Sequence, residues 1–220
     1  MEALGPGIDV DRSMVSVSRS IGVVDYGSGN LRSVCKALEA VGASVALVTK
    51  LSQLDTHDAI VVPGVGAFGD CAQNLRKSGL WEPLTEWLRA RRPYLGICLG
   101  YQLLFESSEE SPGCKGLGIL PGRVMRFAGS GLKIPHIGWN TLLGIRGPIY
   151  NRLPANPYFY FVHSYFPVPG NDLIVSARCE YGGTFAASVS SGSLHATQFH
   201  PEKSQSAGLA LLRNFLDTLG

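Results

Sequence analysis

Residues 94–105 are YLGICLGYQLLF, and they carry the clearest strand-to-helix signal in the chain. Tyr94–Cys98 is a short apolar run typical of a buried strand, and Gly96 and Gly100 permit a sharp turn into a helix over 100–105. Strands that turn directly into helices build parallel sheets covered by helices on both faces. The stretch therefore predicts an α/β fold.

The same alternation of strand and helix occurs on either side of this segment in the first half of the chain. Apolar residues from Leu31 to Val41 recur at helical spacing, and Gly42 ends that pattern. The predicted strands here are Ile21–Asp25, Val45–Val48 and Ala59–Val62, and further helices are predicted over Cys71–Lys77 and Pro83–Arg91.

The second half changes character after a polar loop at Ser107–Gly118. Short β-like runs follow at Arg123–Phe127, Tyr158–Val162, Leu173–Arg178, Phe185–Val189 and Leu194–Phe199. Ser190–Ser193 is typical of a hairpin turn, and Ser204 is a candidate N-cap for a closing helix through Leu219. We expect a doubly wound, flavodoxin-like, mostly parallel sheet with added antiparallel strands in the C-terminal half.

Composition limits the classes of protein to consider. The 220 residues are 45% hydrophobic and only 16% charged, with a net charge of +2. This balance excludes a disordered chain and gives no electrostatic footprint for nucleic acid, and no apolar run approaches the length of a membrane span. The apolar excess must lie in a core or at a protein interface. We expect one domain over 21–220, preceded by a flexible extension at 1–20.

Five cysteines, an odd number without a C-x-x-C pair, argue against a disulfide framework or a zinc ribbon. They favour a reducing compartment, and we expect the cytoplasm. His57, His136, His163 and His195 lack metal-ligand spacing and are expected to be structural or surface residues.

Gly96-Ile97-Cys98-Leu99-Gly100 has the form of a nucleophile elbow with Cys in place of Ser. The dipole and free N–H groups of the following helix favour the thiolate over the thiol. The N–H of Leu99 is placed to bind an oxyanion. The alternative is a buried structural cysteine in a glycine-bounded turn.

His200-Pro201-Glu202 is the second candidate site. The residue before proline adopts an extended backbone, so His200 leaves the strand end in a defined direction. Glu202 can orient the imidazole, which completes a Cys–His–Glu arrangement. A turn carrying a surface His and Glu is the alternative.

Two glycine-containing turns follow other strands. Pro63-Gly64-Val65-Gly66 can supply a second oxyanion donor, or it is an ordinary strand-to-helix loop. Residues 27–30, Gly-Ser-Gly-Asn, fail the G-x-G-x-x-G spacing of dinucleotide sites because position 32 is Arg. We interpret this second turn as a tight turn or a partner contact.

These segments together resemble the class I glutamine amidotransferases, the triad type, from Ile21 to about Leu219. Within that class they are most similar to the glutaminase subunits of imidazole glycerol phosphate synthase. The segments that carry the resemblance are DYGSGNL at 25–31, PGVGAF at 63–68, LGICLGYQLL at 95–104, PHIGWN at 135–140, YFVHSY at 160–165 and QFHPEKS at 198–204. Tyr101, where Met is usual, and residues 1–20 depart from the family pattern.

The resemblance implies a glutaminase with Cys98, His200 and Glu202 as its triad. It implies oxyanion donors at Leu99 and in the Gly64–Val65 loop. Gln102 is similar to the residue that holds the glutamine head group, and Ser164 and Tyr165 to the backbone that receives its α-carboxylate or amine.

The resemblance also implies a partner, a (β/α)₈ cyclase subunit that receives the ammonia through a protected channel in a heterodimer. Asn30, Trp139, Tyr160 and Lys203 are then expected near the interface. No metal or organic cofactor is implied.

Three other readings stay open at this point. The chain resembles, less closely, the glutaminases of anthranilate, aminodeoxychorismate and pyridoxal phosphate synthases, which differ at the first-strand turn and at 135–140. A γ-glutamyl hydrolase would need no partner. A catalytically silent module of the same fold would not need the Cys98, His200 and Glu202 set.

Overall fold

The computed structural model describes residues 18–27, 29–129, 131–154 and 156–220. The strands are β1 Ser20–Val24, β2 Ser44–Val48, β3 Ala59–Gly64, β4 Tyr94–Cys98, β5 Ser107–Ser108, β6 Gly122–Arg126, β7 His136–Thr141, β8 Tyr158–His163, β9 Tyr165–Pro169, β10 Val175–Glu180, β11 Thr184–Ser191 and β12 Leu194–Thr197. The α-helices are α1 Leu31–Ala40, α2 Phe68–Lys77, α3 Trp81–Arg89, α4 Leu99–Gln102 and α5 Gln205–Asp217.

Among the described residues, seven strands form the main sheet, in the order β10-β11-β12-β4-β3-β1-β2. The five strands from β12 to β2 run parallel, and β10 and β11 are added antiparallel at one edge. The predicted fold class is confirmed. Every residue of β3 and β4 is buried, as expected for central strands covered on both faces.

Helices lie on both faces of this sheet. The chain moves from β1 outward to β2, but from β3 it moves the other way to β4. Because such crossovers are right-handed, the reversal places α1 on one face and α2 with α3 on the other. In agreement, α1 packs against α5, and α2 packs against α3 and α4. Ligands of doubly wound sheets bind at the carboxyl ends of the strands, near such a reversal.

Two small sheets stand beside the main one. The order of the first is β5-β6-β9, and β7 pairs with β8 in the second. The sequence pattern predicts β6 and β8 but not β7, β9 or the two-residue β5, which lies at the start of the predicted loop 107–118. An isolated bridge joins Tyr160 of β8 to His200, so the two-stranded sheet contacts the segment that follows β12 directly.

Several element ends differ from the predictions. β1 begins at Ser20, inside the segment expected to be an extension, and residues 1–17 of that segment lie outside the described part of the chain. The helix predicted over 100–105 is a single turn that ends at Gln102. Its dipole is therefore smaller than the sequence suggested.

Ser204 occupies the N-cap position of α5, as predicted, but its hydroxyl does not cap the helix. It donates to the carbonyl of His200 at 2.6 Å and accepts from the amide of Tyr160 at 3.0 Å. The side chain thus ties β8 to the segment that carries the predicted catalytic histidine.

No helix in the described ranges is long and apolar enough to cross a membrane.

Candidate active site

Cys98 is the last residue of β4 and has a strained backbone, with φ +54° and ψ −103°. A left-handed φ is costly for a non-glycine residue and marks a functional turn. The flanking glycines make the turn possible: a Cβ on Gly100 would lie 1.8 Å from the carbonyl oxygen of Val62, and one on Gly96 would lie 2.7 Å from that of Gly100. Cys98 therefore sits on the predicted elbow.

His200 and Glu202 form a buried pair. Nδ1 of His200 lies 2.8 Å from Oε1 of Glu202, and the two side chains are 2% and 1% exposed. The backbone N–H of His200 donates to the carbonyl of Tyr160 at 2.9 Å, which fixes the backbone beneath the ring. The sequence predicted this pair, and the structure brings it against Cys98.

His200 interacts electrostatically with both Cys98 and Glu202. Burial lowers the pKa of His200, but Cys98 and the hydrogen-bonded Glu202 outweigh burial and raise this pKa to about 10. Nε2 of His200 is buried and has no hydrogen-bond partner among the described residues. An imidazolium facing a cysteine sulfur, with a carboxylate behind it, is the arrangement of an activated cysteine nucleophile.

A cavity of about 370 Å³ opens beside the thiol. Its lining includes eight of the residues predicted for the site or the interface: Val65, Cys98, Leu99, Gln102, Ser164, Tyr165, His200 and Lys203. Gly66, Glu110, Pro135, Val162 and His163 complete the lining. Gly64 and Glu202 lie outside the lining, Glu202 behind His200. The size suits a small polar molecule.

The turn after β3 runs alongside the elbow. Gly64 pairs with Cys98 across the parallel strands. A Cβ on Gly64 would lie 2.5 Å from Leu99 Cβ and 2.5 Å from the Tyr26 hydroxyl, so only glycine permits this approach. The next residues line the cavity, and Gly66 has φ +104°. The turn is thus held against the nucleophile by close packing.

Gln102 presents an unsatisfied acceptor at the cavity. Its Nε2 donates to the carbonyl of Tyr165 at 3.0 Å and to Oε1 of Gln198 at 3.1 Å. Its Oε1 is buried without a partner among the described residues. Buried polar atoms are normally hydrogen-bonded, so an orphan acceptor at a cavity wall indicates a ligand that donates to it.

Three polar residues of the site were not predicted from the sequence. Glu110 comes from the loop predicted over 107–118, and its Oε2 accepts from the Phe68 amide at 2.7 Å, which caps α2. His163, which was expected to be a structural or surface residue, lines the cavity. Gln198 is fully buried and contacts Cys98. His163 and Gln198 lie inside the segments 160–165 and 198–204 that carry the family resemblance, which is the signal that could have found them; the sequence offers no such signal for Glu110.

His163 belongs to a hydrogen-bonded chain that reaches β7. Its Nδ1 lies 2.8 Å from the carbonyl of Tyr165, so it must be the protonated nitrogen. Its Nε2 then accepts from Nδ1 of His136 at 3.2 Å, and Nε2 of His136 faces the Asn140 amide at 3.4 Å. Burial lowers the pKa of His136 to about 4 and that of His163 to about 3, so both rings are neutral.

Three of the four residues predicted for a partner interface lie together. Trp139 is 45% exposed, and its ring meets that of Tyr160 edge-on at 6.0 Å. Nζ of Lys203 lies 5.6 Å from the centre of the Tyr160 ring. Asn30 is exposed at the start of α1, beyond the carboxyl end of β1, and does not share these contacts.

In the residues that the structure describes, no three His, Cys, Asp or Glu side chains are grouped closely enough to hold a metal ion.

The sequence matches one family model, described as glutamine amidotransferase class-I, over residues 22–219. Among curated relatives, the imidazole glycerol phosphate synthase subunit HisH of Methanothermobacter thermautotrophicus is 47% identical over 199 residues, which are 90% of this chain and 98% of the relative. The subunit of the same name from Nitrosococcus oceani is 49% identical over 202 residues, covering 90% and 96%.

Solved structures share the fold. PurLQS from Thermotoga maritima contains a chain 21% identical, with a TM-score of 0.74 and coverage of 92% of this chain and 100% of that one. A structure described as a glutamine amidotransferase is 25% identical, with a TM-score of 0.69 and coverage of 91% and 98%. The fold and the sequence comparisons thus agree.

Proposed function

The chain belongs to the glutamine amidotransferase class I family, and from this premise we propose that it is the glutaminase subunit of an imidazole glycerol phosphate synthase. The observation that carries the proposal is Cys98 on a strained elbow, facing a His200 that is paired with buried Glu202 at 2.8 Å. Curated relatives of that name match at almost full length, which favours this synthase over the others.

The first half of the reaction uses Cys98 as the nucleophile and His200 as the proton donor. Cys98 Sγ attacks the side-chain amide carbon of glutamine, and the carbonyl electrons move to the oxygen. The resulting oxyanion is stabilised by the N–H of Leu99 and by a backbone N–H of the Gly64–Val65 turn. When the tetrahedral adduct collapses, the C–N bond breaks, His200 protonates the departing nitrogen and ammonia leaves a γ-glutamyl thioester on Cys98.

The second half reverses the role of His200. Once Cys98 is acylated, the sulfur carries no charge, so one of the causes that raises the pKa of His200 is gone. The neutral imidazole then takes a proton from water, and the hydroxide attacks the thioester carbon. The C–S bond breaks, glutamate leaves, and the thiolate and imidazolium are restored. Glu202 holds the ring throughout.

The cavity supplies groups for the rest of glutamine. The unsatisfied Oε1 of Gln102 accepts from the substrate. Glu110 is the only carboxylate in the described lining, so we assign it to the α-ammonium. Ser164 and Tyr165 face the same space and receive the α-carboxylate or the amine.

The partner we propose is the cyclase subunit, in a heterodimer. Ammonia released into water is protonated and loses its nucleophilicity, so it needs a protected path. Ile137, Trp139 and Tyr158 are 56%, 45% and 58% exposed on β7 and β8, beside the strand end that carries His200. Adjacent exposed aromatic and apolar side chains of this kind mark protein interfaces. We also propose a cytoplasmic location, because an odd number of cysteines without a C-x-x-C pair favours a reducing compartment.

The test is glutamate release by the purified chain, alone and mixed with the cyclase subunit carrying its ribonucleotide ligand. We expect weak activity alone and strong stimulation by the cyclase, but none by the partner subunit of anthranilate synthase. High activity that the cyclase leaves unchanged would indicate a γ-glutamyl hydrolase instead.

The Cys98→Ala variant separates the release of ammonia from glutamine from the use of that ammonia by the cyclase. We expect the variant complex to lose glutamine-dependent synthesis and to keep synthesis from added ammonia. Loss of both activities in a folded complex would contradict the assignment of Cys98 to glutamine hydrolysis alone.

A further inference from the structure

Gln198 stands directly after β12 and two residues before His200. The side chains of both residues reach Cys98 at the end of β4. The Gln198 side chain is fully buried, and its backbone N–H donates to the carbonyl of Ala187 at 2.8 Å. Its backbone is therefore anchored to β11, and its amide has a fixed place beside the nucleophile.

The amide of Gln198 makes two contacts, and both are within the site. Nε2 lies 3.6 Å from Sγ of Cys98, a hydrogen-bonding distance for sulfur. Oε1 lies 3.1 Å from Nε2 of Gln102. The side chain thus links the nucleophile to the residue assigned to the substrate.

The surrounding hydrogen bonds determine which end of this amide faces the sulfur. The carbonyl of Tyr165 can only accept, so Gln102 must turn its nitrogen towards it, at 3.0 Å. That same nitrogen faces Gln198, so Gln198 must offer its oxygen in return. Its N–H₂ group is left to point at Cys98, where it can only donate.

We propose that Gln198 is a further catalytic residue, an N–H donor to the Cys98 thiolate; this rests on the proposed function, because it concerns the same site. A hydrogen bond to a charged acceptor is stronger than one to a neutral acceptor. The bond therefore favours the thiolate before attack. This hydrogen bond weakens while the sulfur is part of the thioester. It returns when the thiolate leaves, which favours breakdown of the thioester to glutamate.

The experiment is the rate at which iodoacetamide alkylates Cys98 as a function of pH, followed by mass spectrometry of the peptide that contains it. Gln198→Met keeps the length of the side chain and removes the donor. We expect its profile to lie about one to two pH units above that of the wild type, with alkylation roughly tenfold slower or more below the wild-type midpoint. Gln73→Met, the same change on the exposed part of α2, is the matched control and should follow the wild type.

A Gln198→Met profile that coincides with the wild-type profile would overturn the proposal. Circular dichroism shows whether that variant folds. If it does not, Gln198→Glu carries the test, because it keeps the shape and the acceptor for Gln102 but has no donor when ionised. Its profile should also move to higher pH, and a coincident profile would overturn the proposal.

Alkylation of Cys98 does not require glutamine turnover, so the proposed function and the donor role of Gln198 can fail separately. If the chain releases no glutamate with the cyclase but Gln198→Met shifts the profile, the proposed function fails and the donor role of Gln198 stands. If glutamate is released but the profiles coincide, the donor role fails alone.

Discussion

Replacing Glu202 with Gln tests how much of the site depends on one buried charge. Oε1 of Glu202 accepts from Nδ1 of His200 at 2.8 Å, with both side chains almost fully buried. A glutamine in the same place can still accept this hydrogen bond through its own oxygen. The substitution therefore removes the charge and keeps the shape.

The expected size of the effect follows from the kind of hydrogen bond. The imidazolium makes a charge-assisted hydrogen bond in both proteins, worth about 1.5–3 kcal/mol, but only the carboxylate adds an opposite charge, so the bond in the variant lies at the lower end of this range. The difference of roughly 1 kcal/mol corresponds to a decrease of about one unit in the pKa of His200. We expect this pKa, raised to about 10 in the wild type, to fall accordingly.

The assay is the pH dependence of glutamate release by the complex with the cyclase. The Glu202→Gln profile should lose its alkaline limb about one pH unit earlier, and the maximal rate should fall on the order of tenfold because the imidazolium is less stabilised. Glu82→Gln, which removes an exposed charge from α3, is the control. A Glu202→Gln complex with the wild-type rate and profile would refute the role assigned to the carboxylate.

Three further predictions concern stability and the interface. Burial lowers the pKa of His195 to about 4, so this residue binds its proton more readily in the unfolded chain, from about pH 6.5 downwards. The free energy of unfolding should therefore decline between pH 6.5 and pH 4. In urea titrations, His195→Gln should flatten that decline by up to about 1.4 kcal/mol per pH unit. Gly64→Ala places a Cβ 2.5 Å from Leu99 and should cost about 1–3 kcal/mol by urea unfolding, whereas Gly170→Ala, whose nearest contact is 3.4 Å, should cost less. Trp139→Ala, at a side chain 45% exposed, should leave the urea midpoint nearly unchanged and weaken cyclase binding at least tenfold by calorimetry; unchanged affinity would remove this residue from the interface.

The sequence was sufficient for the parallel part of the sheet, because its strands are short apolar runs and those of β1, β3 and β4 end in glycine-containing turns. It was insufficient for β9, which contains Pro167 and Pro169. Proline argues against a strand, but β9 is an edge strand with one neighbour, where a missing N–H does no harm. In β7, Gly138 at φ +137° interrupts the apolar pattern in a similar way.

The length of α4 could not be read from local periodicity. The carbonyls of Leu103, Leu104 and Phe105 accept hydrogen bonds from residues 117–120 and not from a next helical turn. Gly116 approaches the Phe105 carbonyl so closely that a Cβ would lie 2.1 Å from the oxygen. A distant loop thus ends the helix, and tertiary contacts of this kind override local propensity.

The candidate site, like the fold, was predictable from the sequence only in part. Cys98, His200 and Glu202 stand in short motifs with a chemical logic of their own. Gln198 begins the quoted segment 198–204, but neither it nor Glu110 has a chemical role that the sequence alone reveals, because their importance comes from what the fold places beside them. The unsatisfied buried side-chain atoms found among the described residues belong to Gln102, His200 and Glu202, all of them at this site. Such exceptions to local rules are expected where a protein functions.

The most direct test of the account is to trap the covalent intermediate. The complex with the cyclase would be mixed with glutamine, quenched in acid during turnover and digested for mass spectrometry. We predict a γ-glutamyl thioester on Cys98 that forms before glutamate accumulates, and none in the Cys98→Ala complex. Steady release of glutamate with no adduct on Cys98, or with the adduct on another residue, would contradict the central claim.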